Sequence, residues 1–283
     1  MSLTAPRAAG PTAGFELHGA RTTVPLLLRD VWRSRDLLAT LARKDFFVRF
    51  RRTSFGLLWA VGLPLVQATV LAIVFTKIVR IDTGGNYGIY VFSGMLPWTF
   101  LSGTVTTGST SIVDGAQLAT KIYFPRAVLP LVTLGANLYG FLPGVAVLLL
   151  GTAAIGEGLG ADVVLLVPAT LLMVAFVASL TLLLAGLHVY FRDLRFIVQA
   201  TTLAWFYGTP VIYPLDEATG LLRTVLLANP ATGMVTLFRA AVSDTGTSGL
   251  GTALLATVGW TAVLGTVALL LHARRDRVFV DLL

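Results

Sequence analysis

Cysteine is absent from the 283 residues, which excludes disulfide frameworks, thiolate metal sites and thiol nucleophiles. Charge is scarce: Asp, Glu, Lys and Arg make up 12% of the chain, about half the share of a soluble domain. The three histidines, His18, His188 and His272, lie far apart and disfavour a metal cluster. No phosphate-cradling P-loop exists, because none of Lys44, Lys77 and Lys121 follows a glycine, so this chain does not bind ATP by that route. What is abundant is apolar surface. Hydrophobic residues reach 55% and the mean hydropathy is +0.82. No soluble packing hides that much, so the excess faces lipid.

The uncharged gaps locate it. Six intervals, 53–76, 83–113, 127–156, 163–191, 196–215 and 245–273, hold 20 to 31 residues each without Asp, Glu, Lys or Arg. A helix needs about 20 residues to cross the hydrocarbon core, and backbone in lipid must satisfy its own hydrogen bonds. The reading is an all-α polytopic protein of six transmembrane helices. A further uncharged stretch, Thr224–Phe238, has 15 residues and is interrupted by Asn229-Pro230, too short to span alone.

The basic residues set the orientation. With the N-terminus cytoplasmic, 17 Arg and Lys fall inside and four, Lys77, Arg80, Arg223 and Arg239, outside. The net charge of +7 is thus a topology signal and no nucleic-acid partner is expected. Both termini are placed in the cytoplasm. Residues 1–28 read as a disordered tail without the apolar run of a signal peptide, and 274–283 as a C-terminal tail.

Three segments outside the lipid stand out. Residues 29–52 are basic and helix-compatible, suited to lying in the inner interface or merely to anchoring the first span by charge. Asp114–Arg126 begins with a short helix that Pro125 stops. The two charges and one amide of Asp114–Tyr123 suit docking to a partner, although an ordinary connector has the same pattern. Residues 214–247 hold two apolar stretches broken at Asn229-Pro230, consistent with a hairpin re-entering the outer leaflet.

The spans carry almost no titratable groups, the relays of ion-coupled transporters. Uphill movement would therefore draw its energy from another subunit. Paired carboxylates in an enzyme-like arrangement are also missing, so no catalytic residues are assigned. Aromatic residues are plentiful: Trp59, Trp205, Tyr207 and Tyr213 fit either interfacial belts or a track on which sugar faces slide. Prolines 64, 97, 143, 168 and 210 fall inside the intervals and are expected to kink them. Gly140-x-x-x-Gly144 permits close helix contact.

Lys121-Ile-Tyr-Phe-Pro-Arg126, Tyr190-Phe-Arg-Asp-Leu194, Thr209-Pro-Val-Ile-Tyr-Pro214 and Asn229-Pro230 followed by Phe238-Arg239, in this order, resemble the membrane subunits of ABC exporters of lipid-linked polysaccharides. That family includes O-antigen, teichoic-acid and galactan exporters. The resemblance runs from about Arg29 to the C-terminus; Thr209 stands where serine is frequent. It implies a homodimer in the bacterial plasma membrane with two ATP-binding subunits beneath, which would hold ATP and Mg, leaving this chain without a cofactor. It also implies an interface helix over 29–52 and a coupling helix over 114–123, presenting Asp114, Gln117, Lys121 and Tyr123 to the ATPase. Outer gate helices over 214–239 would include Pro214, Asn229, Pro230 and Arg239, and spans one and five would line the channel. Arg49, Arg51 and Arg52 then fit contacts to a polyprenyl diphosphate, guanidinium matching phosphate oxygens, or equally positive-inside anchors. The expected cargo is a polyprenyl-diphosphate-linked polysaccharide; the Arg-, Ala- and Gly-rich composition of a GC-rich genome favours a galactan. An ABC exporter of a drug or small lipid and a non-transport scaffold of a cell-wall synthase remain alternatives.

Overall fold

The computed structural model describes residues 23–51, 53, 55–56, 58–80, 85–121, 124–155, 160–243 and 247–282. Every regular element among them is helical. In chain order these are α1 (Val24–Arg33), α2 (Arg35–Phe50), α3 (Leu58–Val74), α4 (Tyr87–Gly108), α5 (Ser111–Asp114), α6 (Ala116–Lys121) and α7 (Val128–Ile155). Then follow α8 (Leu166–Tyr190), α9 (Leu194–Tyr207), α10 (Gly220–Ala228), α11 (Pro230–Ala240) and α12 (Leu250–Leu282). A π-helical turn, Phe75–Val79, extends α3, and 3-10 turns precede α8 and α10.

The helices within the first, third, fourth and sixth uncharged intervals are long and apolar enough to cross a membrane. The second interval yields α4, whose 22 residues reach about 33 Å but are less apolar. The fifth yields only the 14 residues of α9, about 21 Å. Thr209 precedes Pro210, and a residue before proline avoids the helical region. Pro210 therefore lies beyond the helix it was expected to kink. Pro168 also causes no break, since it sits in the first turn of α8, where its missing N–H is no loss. Pro64, Pro97 and Pro143 are inside α3, α4 and α7.

Four boundaries differ from the sequence reading. Residues 24–28, expected in a disordered tail, belong to α1, which lays Leu27 against Ala268 and Ala273 of α12; residues 1–22 lie outside the described set. The interface segment is two helices, parted at Ser34, whose hydroxyl bonds to the Asp30 carbonyl at 2.9 Å, the local competition typical of serine. The coupling stretch is likewise two pieces: Asp114 closes α5, Gly115 intervenes, and α6 follows. The C-terminal tail continues α12 to Leu282, because no Gly or Pro after Gly265 interrupts the helix.

The core surrounds α4, with Tyr90, Met95, Leu101, Phe176, Met234 and Phe238 among its buried members. α8 and α12 pack along each other, α11 wedges between α4 and α12, and α2 lies across α7. The Gly140/Gly144 pair is used within one copy. A Cβ at Gly144 would strike Leu96 of α4, and one at Gly140 would sit 3.5 Å from Phe46 of α2.

Candidate functional site

Beyond Tyr207 the chain leaves the helix for Gly208–Pro214, and its carbonyls lose their helical partners. Side chains from distant elements take them one by one. Asn229 Nδ2 donates to the Gly208 carbonyl at 2.7 Å, and Arg239 Nη2 to that of Val211 at 2.6 Å. Tyr87 Oη donates to the Ile212 carbonyl at 2.5 Å and Tyr90 Oη to that of Tyr213 at 2.9 Å. Tyr213 Oη returns to the Tyr207 carbonyl at 3.0 Å. A bare carbonyl away from water costs about 1–3 kcal/mol, so this cover is what allows irregular backbone in a buried stretch, Thr209–Ile212 and Pro214 being buried.

Two residues hold the arrangement together. Asn229 caps α11 through the Ala231 N–H at 2.9 Å and accepts from Trp205 Nε1 at 2.8 Å, while its Nδ2 also reaches Thr209 Oγ1 at 3.0 Å. α10 and α11 meet there at 84°. Arg239 is 1% exposed, its guanidinium 3.6 Å above the Tyr90 ring and its Nε donating to the Tyr90 carbonyl at 3.4 Å. Gly94, one turn after Tyr90, opens the slot: a Cβ there would stand 3.0 Å from Arg239 Nη2. Pro214 is buried beside this cluster. Arg223 ties α10 to the preceding loop through Asp216 at 3.4 Å and to Ser248 at 2.7 Å.

Of the four expected aromatic positions, Trp205, Tyr207 and Tyr213 come together here and Trp59 does not. Trp205 is packed edge-on against Trp98 and Phe176, so its ring is a strut for Asn229. Tyr207 is 62% exposed. Trp59, 38% exposed, stacks edge-on with Phe55 near α2.

At the other end, Asp114 and Gln117 are exposed, and Asp114 Oδ2 accepts from Thr110 Oγ1 at 2.6 Å. Only the backbone of Lys121 is described, and Tyr123 lies outside the described residues. From Phe124 the chain is firmly seated: Phe124 packs with Ile112, Val132, Ala185 and Ala42, and Arg126 Nη1 donates to the Phe124 carbonyl at 2.8 Å. On α2, Arg49 is bound by Asp45 at 2.8 Å and by Asn137 Oδ1 at 2.7 Å. Arg51 is exposed and shares a 470 Å³ depression with Lys44, Phe47, Val48, Phe50 and Gly56. Arg52 lies outside the described residues.

Sequence reasoning missed Tyr87, Tyr90, Gly94 and Lys44. The spacing Tyr87-x-x-Tyr90-x-x-x-Gly94 puts all three on one helical face, the one local signal available.

A model of the ABC-2 type transporter family matches residues 36–242, nearly all of α2 through α11. The O-antigen export system permease protein RfbA of Myxococcus xanthus is 34% identical over 219 residues, 76% of this chain and 83% of that protein. The protein of the same name from Klebsiella pneumoniae is 27% identical over 205 residues, covering 72% and 79%. A multi-helix membrane chain that matches the family over more than two thirds of its length belongs to it: this protein is a member of the ABC-2 type transporter family.

Proposed function

We propose that this protein is the transmembrane subunit of an ABC exporter that carries a polyprenyl-diphosphate-linked polysaccharide, a galactan by preference, out of the cytoplasm. Two copies assemble with two ATP-binding subunits that hold ATP and Mg. Each copy crosses the membrane six times, α4 and α9 joining the four spans that are both long and strongly apolar, with both termini inside. ATP-driven closure of the partner acts on α5 and α6 through Asp114, Gln117, Lys121 and Tyr123. α10 and α11 re-enter the outer leaflet as the gate, built around Pro214, Asn229, Pro230 and Arg239. The uncovered faces of α3 and α9, each with one buried residue, support a second copy beside them and a channel between, with Trp59, Tyr207 and Tyr213 as sugar-facing rings. The names of the relatives support the polysaccharide cargo.

The observation that carries the lipid-diphosphate site is the depression at the end of α2, where Lys44 and Arg51 converge with no carboxylate among the lining residues. Two cations beside aromatic and aliphatic walls suit a diphosphate whose chain stays in lipid. Arg49 serves as their support through Asp45 and Asn137, and Arg52 adds charge to the same stretch. The test is Lys44→Ala with Arg51→Ala in producing cells. Surface polysaccharide is expected to fall about tenfold or more, consistent with losing two charge-assisted contacts. Unchanged export at unchanged membrane levels rejects the site, and purification without an ATP-hydrolysing partner rejects the transporter reading.

A further inference from the structure

We infer that the groove between α3, α4 and α7 seats one acyl chain of an acidic phospholipid of the outer leaflet, with the headgroup beside Lys77. The leaflet, though not the lipid, rests on the membrane orientation proposed above. The groove measures about 670 Å³, well inside the roughly 300–1,000 Å³ of ligand pockets. Along α3 and its π-helical extension the wall runs from Leu65 to Lys77, about 18 Å at the helical rise per residue. Half of the hydrocarbon core is about 15 Å, so the groove has the length of one leaflet.

The chemistry is graded along that length. Ala68, Ala72, Phe92 and Leu148 line the deeper part, and Thr76, Lys77 and Asn86 line the outer end. Asn86 Oδ1 already accepts from the Gly88 and Ile89 N–H groups at 2.9 and 3.3 Å, capping α4. Lys77 is therefore the charged group at the mouth, and no carboxylate is among the lining residues. An ammonium at the end of an apolar trough matches an amphiphile with an anionic head. Water is a poor occupant, since it needs two or more polar partners, and an empty groove forfeits dispersion contacts along its lining.

Gly151 points the same way independently. Val147, Gly151 and Ile155 stand four residues apart on one face of α7, and all three line the groove. Glycine inside a helix costs stability; at Gly140 and Gly144 a close neighbour accounts for it. At Gly151 a Cβ would meet nothing within 4 Å. No described residue claims the space it leaves, and an acyl chain fills it.

The experiment places the complex of this protein with its ATPase in nanodiscs containing photoactivatable phosphatidylglycerol or phosphatidylcholine and maps the labelled peptides. Residues 65–77 and 147–155 are expected to reach half-maximal labelling at about fivefold less phosphatidylglycerol than phosphatidylcholine, the contribution of one cation at an acidic lipid. Lys77→Gln should bring the two lipids within about twofold of each other. Gly151→Leu, whose side chain enters open space, should abolish labelling by both. Equal labelling of the wild type by the two lipids, a preference that survives Lys77→Gln, or labelling that survives Gly151→Leu overturns the site. Stronger competition by polyprenyl diphosphate than by unlabelled phosphatidylglycerol assigns the groove to the cargo, and no labelling of either segment assigns it to the second copy; each overturns the phospholipid. The leaflet is tested separately with Arg80→Cys in this cysteine-free chain, an exposed position three residues past Lys77. Reaction with an impermeant maleimide in intact spheroplasts supports the outer leaflet. Reaction only after the membrane is opened overturns the leaflet and the orientation, and leaves the labelling result standing.

Discussion

α3 and α11 are apolar helices of one chain, yet α3 buries a single residue of 17 and α11 nine of 11. The difference follows the backbone. α3 is a continuous helix whose peptide groups satisfy one another apart from the carbonyl that Pro64 leaves without a donor, so lipid or a second copy covers it at little cost. α11 starts at an elbow and adjoins Gly208–Pro214, where carbonyls need partners from outside the segment. Packing is concentrated where regular hydrogen bonding fails, and the long spans are left comparatively bare.

The sharpest way to break this contrast is Arg239→Met. Removing a fully enclosed guanidinium leaves the Val211 carbonyl without its 2.6 Å partner and Tyr90 without its cation. The expected destabilisation is about 2–4 kcal/mol, read as a lower unfolding temperature of the purified protein and faster hydrogen exchange over residues 208–214. Next in size is Gly94→Ala, whose methyl would crowd Arg239 Nη2 at 3.0 Å and the Val211 carbonyl at 3.3 Å. It should cost about 1–2 kcal/mol in wild type and clearly less on the Arg239→Met background, since part of what it crowds is gone. A double-mutant cycle on thermal unfolding measures that coupling; strict additivity contradicts a shared slot. The smallest effect belongs to Val70→Ala on α3, 54% exposed. One copy should lose no more than about 0.5 kcal/mol, while sedimentation in detergent should show weaker self-association. A large loss of stability with intact self-association reverses the contrast.

Much of this was legible in the order of residues. The uncharged intervals delimit α3, α4, α7 and α8 and mark the start but not the end of α12, because a bilayer filters charge over whole segments, and any tally along the chain detects that. Asn229, Pro230, Arg239 and Thr209–Pro214 could be singled out as signature residues. Their convergence could not, because Arg239 meets Tyr90 across 149 positions and no period or spacing encodes such a pair. The break at Ser34 and the early end of α9 were missed for another reason. Both are settled by a single residue's local preference, which the apolar run around it masks. Trp205 was legible as an aromatic near an interface and illegible as a strut, since its role depends on where an amide far along the chain comes to rest.

The elbow at Asn229 also constrains chemical substitution. Its Oδ1 serves Trp205 and Ala231, while its Nδ2 serves Gly208 and Thr209. Aspartate would keep the acceptor and lose the donor, glutamine would overshoot by a methylene, and serine would reach one neighbour at most. Leucine, isoleucine and valine can trade places along a lipid-facing helix, but position 229 has no synonym among the twenty side chains.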